Sequence, residues 1–254
     1  MASFPSQEHA AAAWAAVEFI STLDEAEAIS VVGSCGRRPD ANDLDLSVLV
    51  ADASAGARVE AAFAAFAAES DVMSDLAALG PFIEVDLGGI TGEFGPGPRS
   101  WTSGPDDFEV AVGNEVAYSV PLWQRDGRLD DLRSRWLPFY GDELRAERLA
   151  DARMYVVNDL DHVPLMIRRD EPFHAFHRLY LAFQGFLQAL FISRRTYPIA
   201  YDKWIREQVE GILGLGELYT CLPPIVGVDG LRAPALTEAS DLLRDLLDTW
   251  APPP

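Results

Sequence analysis

Two periodicities alternate through the first half of the chain, and one governs the second. After Ser6, the residues Ala12, Ala15, Ala16, Phe19 and Ile20 share one helical face, so a helix capped by Ser6 is predicted to run to about Leu23. Ala28 to Gly33 (AISVVG) reads as a short buried strand, stopped by the turn chemistry of Gly33, Gly36 and Pro39. Leu44 to Val50 (LDLSVLV) alternates and then becomes wholly apolar, as a strand buried deeper at its end does. Gly56 to Ala68 carries helical spacing, and Pro81 to Leu87 (PFIEVDL) alternates as a third strand. Phe108 to Val112 and Glu115 to Val120 flank Gly113-Asn114, a link that predicts a tight hairpin.

Beyond Pro121 the period is helical: Glu143 to Asp159, Phe173 to Ile192, Ala200 to Leu213, and Thr237 to Trp250 with Thr237 as its N-cap. Strands followed by a run of helices predict an α+β fold, a mixed-sheet domain joined to a helical one. The join falls within Trp123 to Asp142, punctuated by Gly127, Pro138 and Gly141, giving domains of residues 1–135 and 136–254.

Composition narrows the function. Lys and Arg number 20 against 40 Asp and Glu, a net charge of -20 over 254 residues. That balance is opposite to what a protein neutralising many phosphates needs, so a nucleic-acid partner is not expected. With 49% hydrophobic residues there is ample material for a packed core. The start of the chain carries Glu8 and His9 where a signal peptide would be basic, and the apolar run Leu179 to Ile192 is too short to span a bilayer. Two distant cysteines, Cys35 and Cys221, form neither a disulfide framework nor a zinc site. A soluble, cytoplasmic protein is the expectation.

The chemistry concentrates in Val31 to Val50, VVGSCGRRPDANDLDLSVLV. A strand ends in Gly33-Ser34, and a new one opens on Asp43-Leu44-Asp45. Alternate strand residues share a face, so the two carboxylates point the same way while Leu44 faces the core. Hard oxygen ligands on a rigid strand suit Mg²⁺, which fills its remaining positions with water and phosphate oxygens. Glycine at 33 admits a ligand close to the backbone, and the amide and hydroxyl of Ser34 can donate to phosphate. A third acid is expected from the next strand, where Glu84 and Asp86 share a face; Asp86 is preferred because Gly88-Gly89 follow it.

These residues resemble the polymerase-β-type nucleotidyltransferase superfamily, marked by a Gly-Ser turn, an acidic-x-acidic strand and a later strand acid. Gly33, Ser34, Asp43, Asp45 and Asp86 match that order. The form Gly-Ser-x-Gly-Arg at Gly33 to Arg37 is similar to small-molecule members typified by kanamycin nucleotidyltransferase. Ser193 to Pro198, followed by Tyr201-Asp202-Lys203-Trp204, is similar to their helical C-terminal region. Two departures touch the substrate-facing loop: eight residues, a short connection, separate Ser34 from Asp43, and Asn42 stands where Ser or Thr is usual.

The resemblance implies transfer of a nucleoside monophosphate from a nucleoside triphosphate to a hydroxyl of a small acceptor, with release of pyrophosphate. Mg²⁺ would be held by Asp43, Asp45 and Asp86, with Asp86 also a candidate base. Gly33, Ser34, Arg37, Arg194 and Lys203 are then the candidate nucleotide contacts, Lys203 being the single lysine of the chain. The acidic balance favours a cationic, aminoglycoside-like acceptor. The competing expectation is a nucleotidyltransferase fold that has lost the reaction and serves as a binding or regulatory, antitoxin-like protein. His174 and His177, three apart on a helix, lack a third ligand and are assigned to packing or capping, and Cys35 lacks an adjacent base.

Overall fold

The computed structural model describes residues 4–38 and 40–254; Pro39, named above in the turn after the first strand, lies outside them. Contacts divide the chain into two compact units, Met1–Gly95 with Ala111–Pro138, and Pro96–Val110 with Phe139–Pro254. A segment of the first half therefore packs with the helical second half.

The first unit opens with α1 (Gln7–Ile20), where the Ser6 hydroxyl accepts the His9 N–H at 3.3 Å. The strands β1 (Ala26–Val31), β2 (Leu44–Val50), β3 (Val85–Ile90) and β4 (Val120–Gln124) form a mixed sheet in the order β3-β2-β1-β4. β1 runs antiparallel to both β2 and β4, whereas β2 and β3 are parallel. A parallel pair needs a crossover, supplied here by α2 (Ala53–Glu69) and α3 (Asp71–Ala77). Leu44, Leu46, Val48 and Val50 alternate onto the face that packs with Ala16 and Ile20 of α1, Val59 and Phe63 of α2, and Leu76 of α3. Close approach of α2 to β3 requires glycine: a Cβ on Gly89 would come within 2.8 Å of the Gly56 Cα.

Two sequence expectations fail in this unit. The third strand begins and ends later than Pro81 to Leu87, because β3 starts where pairing with Leu44 begins. The hairpin about Gly113-Asn114 is absent. Phe108–Val112 is instead a helical turn, α4, whose start is marked by the Asp106 carboxylate accepting the Phe108 N–H, and Gly113–Ala117 continues it as a π-helical turn. A five-residue run has too few positions to show a period of its own, so its state is set by tertiary contacts. β4 then carries Pro121, tolerated because the strand is at the sheet edge. The short helix α5 (Arg128–Trp136) follows.

The second unit is built on α6 (Asp142–Arg168) and α7 (Pro172–Ser193), with α8 (Gly216–Cys221), α9 (Pro223–Val226) and α10 (Ala233–Trp250) around them. Its core includes Val156, Leu160, Leu179, Phe186, Leu190, Leu243 and Leu247. Of the helix expected over Ala200 to Leu213, the first five residues are loop, and the helical part covers residues 205–212, with a π-helical turn over Glu207–Ile212. α10 begins four residues before Thr237, whose hydroxyl donates back to the Ala233 carbonyl at 2.9 Å rather than capping. Pro234 in the first turn set the start instead.

A charged cluster is buried in this unit. Arg148 donates to both Asp106 oxygens (2.7 and 2.6 Å) and both Glu109 oxygens (2.9 and 2.7 Å). The Tyr140 hydroxyl and the Gln188 amide also donate to these acids. Burial pushes the Asp106 carboxyl up, but the Arg148 hydrogen bonds and charge outweigh it and hold it below the usual range. Arg148→Met strands both acids and should cost about 3–5 kcal/mol in urea unfolding at pH 7. Because the Asp106 value is depressed on folding, its contribution is complete above about 3.9 and should fade as pH drops through the lower folded-state value. The gap between wild type and Arg148→Met should therefore narrow in unfolding curves taken at progressively more acid pH.

Candidate functional site

The site grows from the bend between β1 and β2. Gly33 is left-handed (φ +61), and a Cβ there would lie 1.9 Å from the Asp45 Oδ2, so only glycine lets the backbone sit against that carboxylate. The Ser34 carbonyl accepts the N–H groups of Arg37 and Arg38 at 3.0 and 2.9 Å, closing a helical turn. The Arg37 guanidinium reaches back to the Gly33 carbonyl at 2.6 Å and braces the same turn. On the far side, the Val32 N–H donates to the Asp45 carbonyl at 2.9 Å.

Asp45 and Asp86 are partners in the parallel β2–β3 register and so project from one face, side by side. Asp45 is partly covered, whereas Asp86 is exposed. Asp43 sits on the bend just before β2 rather than in the strand, and continuing the register puts it opposite Glu84, whose carbonyl accepts the Leu44 N–H at 2.9 Å. Among the described residues, no group of three or more His, Cys, Asp or Glu side chains converges closely enough to hold a metal ion. The donor chemistry nevertheless suits a hard divalent cation. Magnesium is commonly held by one or two carboxylates and completes its shell with water and phosphate.

Three further residues lie around this pair. Ser47 shares the face of Asp45; its hydroxyl is buried and has no hydrogen-bond partner among the described residues. Glu115, on the π-helical turn, also has one buried oxygen without a partner. Burial raises the Glu115 carboxyl above the usual range, the nearby Ser47 hydroxyl opposes that rise without reaching hydrogen-bond geometry, and the Asp45 charge adds to it. His9 of α1, buried, bridges the Ser6 hydroxyl and the Asn42 carbonyl, each at 2.8 Å. Its Nε2, facing a carbonyl, donates and pins the residue before Asp43. Sequence reading missed all three. Glu115 was hidden by the hairpin expectation, and the pairing of His9 with Asn42 spans 33 positions with no local signal.

Lys203 and Arg194 belong to the second unit. The Arg194 guanidinium carbon lies 5.9 Å from the Trp250 ring centroid, and Lys203 is exposed on a bend. His174 and His177 are exposed on α7 with ring centroids 6.3 Å apart. Cys35 is buried, and burial followed by the Asp45 charge pushes its thiol up to about 11, opposite to an activated nucleophile.

No family model and no curated protein sequence matches the chain. Among solved structures it is similar to a nucleotidyltransferase-like protein from Exiguobacterium sibiricum 255-15. The TM-score is 0.50 at 13% identity, covering 95% of this chain and 76% of that one. The chain therefore has a nucleotidyltransferase fold. No helix among the described residues is long and apolar enough to cross a membrane.

Two outcomes test this geometry. With its thiol at about 11, Cys35 holds only about one thiolate in a thousand at pH 8, so iodoacetamide should modify it far more slowly than Cys221, as read by peptide mass spectrometry. Gly33→Ala should destabilise the fold by at least about 1–2 kcal/mol of left-handed strain, with the Asp45 clash added, in urea unfolding.

Proposed function

We propose that the chain is a nucleotidyltransferase that moves a nucleoside monophosphate from a nucleoside triphosphate to a hydroxyl of a small, cationic, aminoglycoside-like acceptor. The observation that carries this reading is the register pairing of Asp45 with Asp86 beside the left-handed Gly33-Ser34 turn. In it, Asp45 and Asp86 would hold Mg²⁺, with Asp43 nearby on the bend before β2, and the ion would supply charge neutralisation at a phosphate. The turn supplies Ser34 as a phosphate donor, with Arg37 bracing it. A side-chain carboxylate, Asp86, accepts the proton of the attacking hydroxyl. The net charge of -20 supports a cationic acceptor, since an anionic surface concentrates cations and repels polyanions. The subtype similar to kanamycin nucleotidyltransferase rests on the Gly-Ser-x-Gly-Arg sequence at Gly33 to Arg37.

A second reading, a fold that binds nucleotide without reacting, is favoured by one observation: no three acids converge among the described residues. The two separate in one assay. Pyrophosphate release is measured with each nucleoside triphosphate, Mg²⁺ and a panel of aminoglycosides, beside thermal shifts with nucleotide and Mg²⁺. Release that falls more than about 100-fold in Asp45→Asn, about 2.7 kcal/mol of lost transition-state stabilisation, supports transfer. A nucleotide-dependent thermal shift without release supports the binding reading. Unchanged turnover in Asp45→Asn removes Asp45 from the metal site.

A further inference from the structure

A peptide plane is rigid, so the direction in which a side chain leaves the backbone is set once the two planes flanking its Cα are fixed. At Asp43 each of those planes carries a hydrogen bond. The plane shared with Leu44 is held by the sheet, the Leu44 N–H donating to the Glu84 carbonyl at 2.9 Å. The plane shared with Asn42 is held from another element, the Asn42 carbonyl accepting the His9 Nε2–H at 2.8 Å. His9 is itself immobilised. It is 3% exposed, on the face of α1 that carries Ala12, Ala13, Ala16 and Ile20 into the core shared with Leu44 and Leu46. With Nε2 the donor, its Nδ1 accepts the Ser6 hydroxyl at 2.8 Å, and both ring nitrogens are engaged.

The two sides of the ring serve different parts of the chain. The Ser6 side belongs to the start of α1, where the same hydroxyl oxygen accepts the His9 N–H. The Nε2 side reaches 33 positions along the chain, to the peptide just ahead of an acid of the candidate site. All of these residues lie in the first unit. We propose that His9 is a positioning residue: it fixes the peptide ahead of Asp43 and so sets the position from which that carboxylate serves a divalent cation at Asp45. The inference rests on the reading that Asp45 and Asp86 hold Mg²⁺, and it gives His9 a role through Asp43 rather than on the ion. Outer partners that orient a metal site are typically worth about 10- to 100-fold in metal affinity.

Two variants divide the two bonds of the ring. His9→Gln puts an amide nitrogen near the place of Nε2 and keeps the donation to Asn42. His9→Asn keeps a partner for Ser6 and loses that donation. Binding of Mn²⁺, standing in for Mg²⁺, is measured on the full chain from the free-ion electron paramagnetic resonance signal, with Asp45→Asn marking the site. His9→Asn should bind there about tenfold more weakly, and His9→Gln within about threefold of wild type, while both melt cooperatively. In pyrophosphate release, the Mg²⁺ concentration giving half the maximal rate should rise by the same factor in His9→Asn. A histidine that served only the fold would lower both melting temperatures and leave Mn²⁺ affinity alone. Equal affinity in wild type and folded His9→Asn, or equal losses in the two variants, overturns the proposal. Should neither variant fold, nuclear magnetic resonance of the wild type decides. Coupling is reciprocal, so Mg²⁺ should slow solvent exchange of the His9 ring N–H; a proton on Nδ1 instead, or exchange that Mg²⁺ leaves unchanged, refutes it. Asp45-dependent Mn²⁺ binding that His9→Asn retains in full sinks this inference alone. No Asp45-dependent binding in the wild type sinks the metal reading and this one with it.

Discussion

Parallel strands set register partners side by side, and at β2 and β3 one such pair is Asp45 and Asp86. Set on neighbouring strands about 5 Å apart, the two carboxylates repel each other. Three local contacts of the first unit lie near this pair. The left-handed Gly33 leaves the Asp45 carboxylate room, His9 pins the chain just before Asp43, and the crossover α2 fits against β3 through the Gly56–Gly89 contact. Asp86, on the edge strand, stays exposed, so water moderates the repulsion on that side.

The second unit treats buried acids the opposite way, by pairing them with arginine. The outcome depends on geometry rather than on the presence of a partner. Asp106 receives two hydrogen bonds from Arg148, enough to outweigh burial and hold its carboxyl low. Asp159 receives one, from Arg178 at 2.7 Å, and there burial prevails and the carboxyl is raised. The single Arg178 bond leaves burial dominant at Asp159, whereas the two Arg148 bonds, with the Phe108 N–H and the Arg99 charge, exceed it at Asp106.

Much of this was legible in the residues. β2 was read with its observed bounds because its alternation and apolar end leave one register that buries Leu44, Leu46, Val48 and Val50. The Ser6 cap and the long apolar α7 were equally plain. What failed were short segments without a period. Phe108–Val112 reads as strand by composition, yet is helical, with the Phe108 N–H donating to Asp106 and Glu109 bonded to Arg148. Ala200 to Leu213 has helical spacing, but the bonds from Gln208 hold its first residues as loop. At the site, the Gly-Ser turn and the acidic pair were visible as motif. Glu115 and His9 were not, since they depend on which distant segments fold together.

The interleaved connectivity has a consequence for synthesis. Asp106 and Glu109 emerge from the ribosome 42 and 39 residues ahead of Arg148, the cation that neutralises them. During translation the Pro96–Val110 segment therefore leaves the ribosome before the helices it packs with, whereas the strand that follows it in the chain has its partner strand already made. Vectorial folding of the nascent chain proceeds with a tethered loop left out, and the helical body closes only when its own polypeptide has been made.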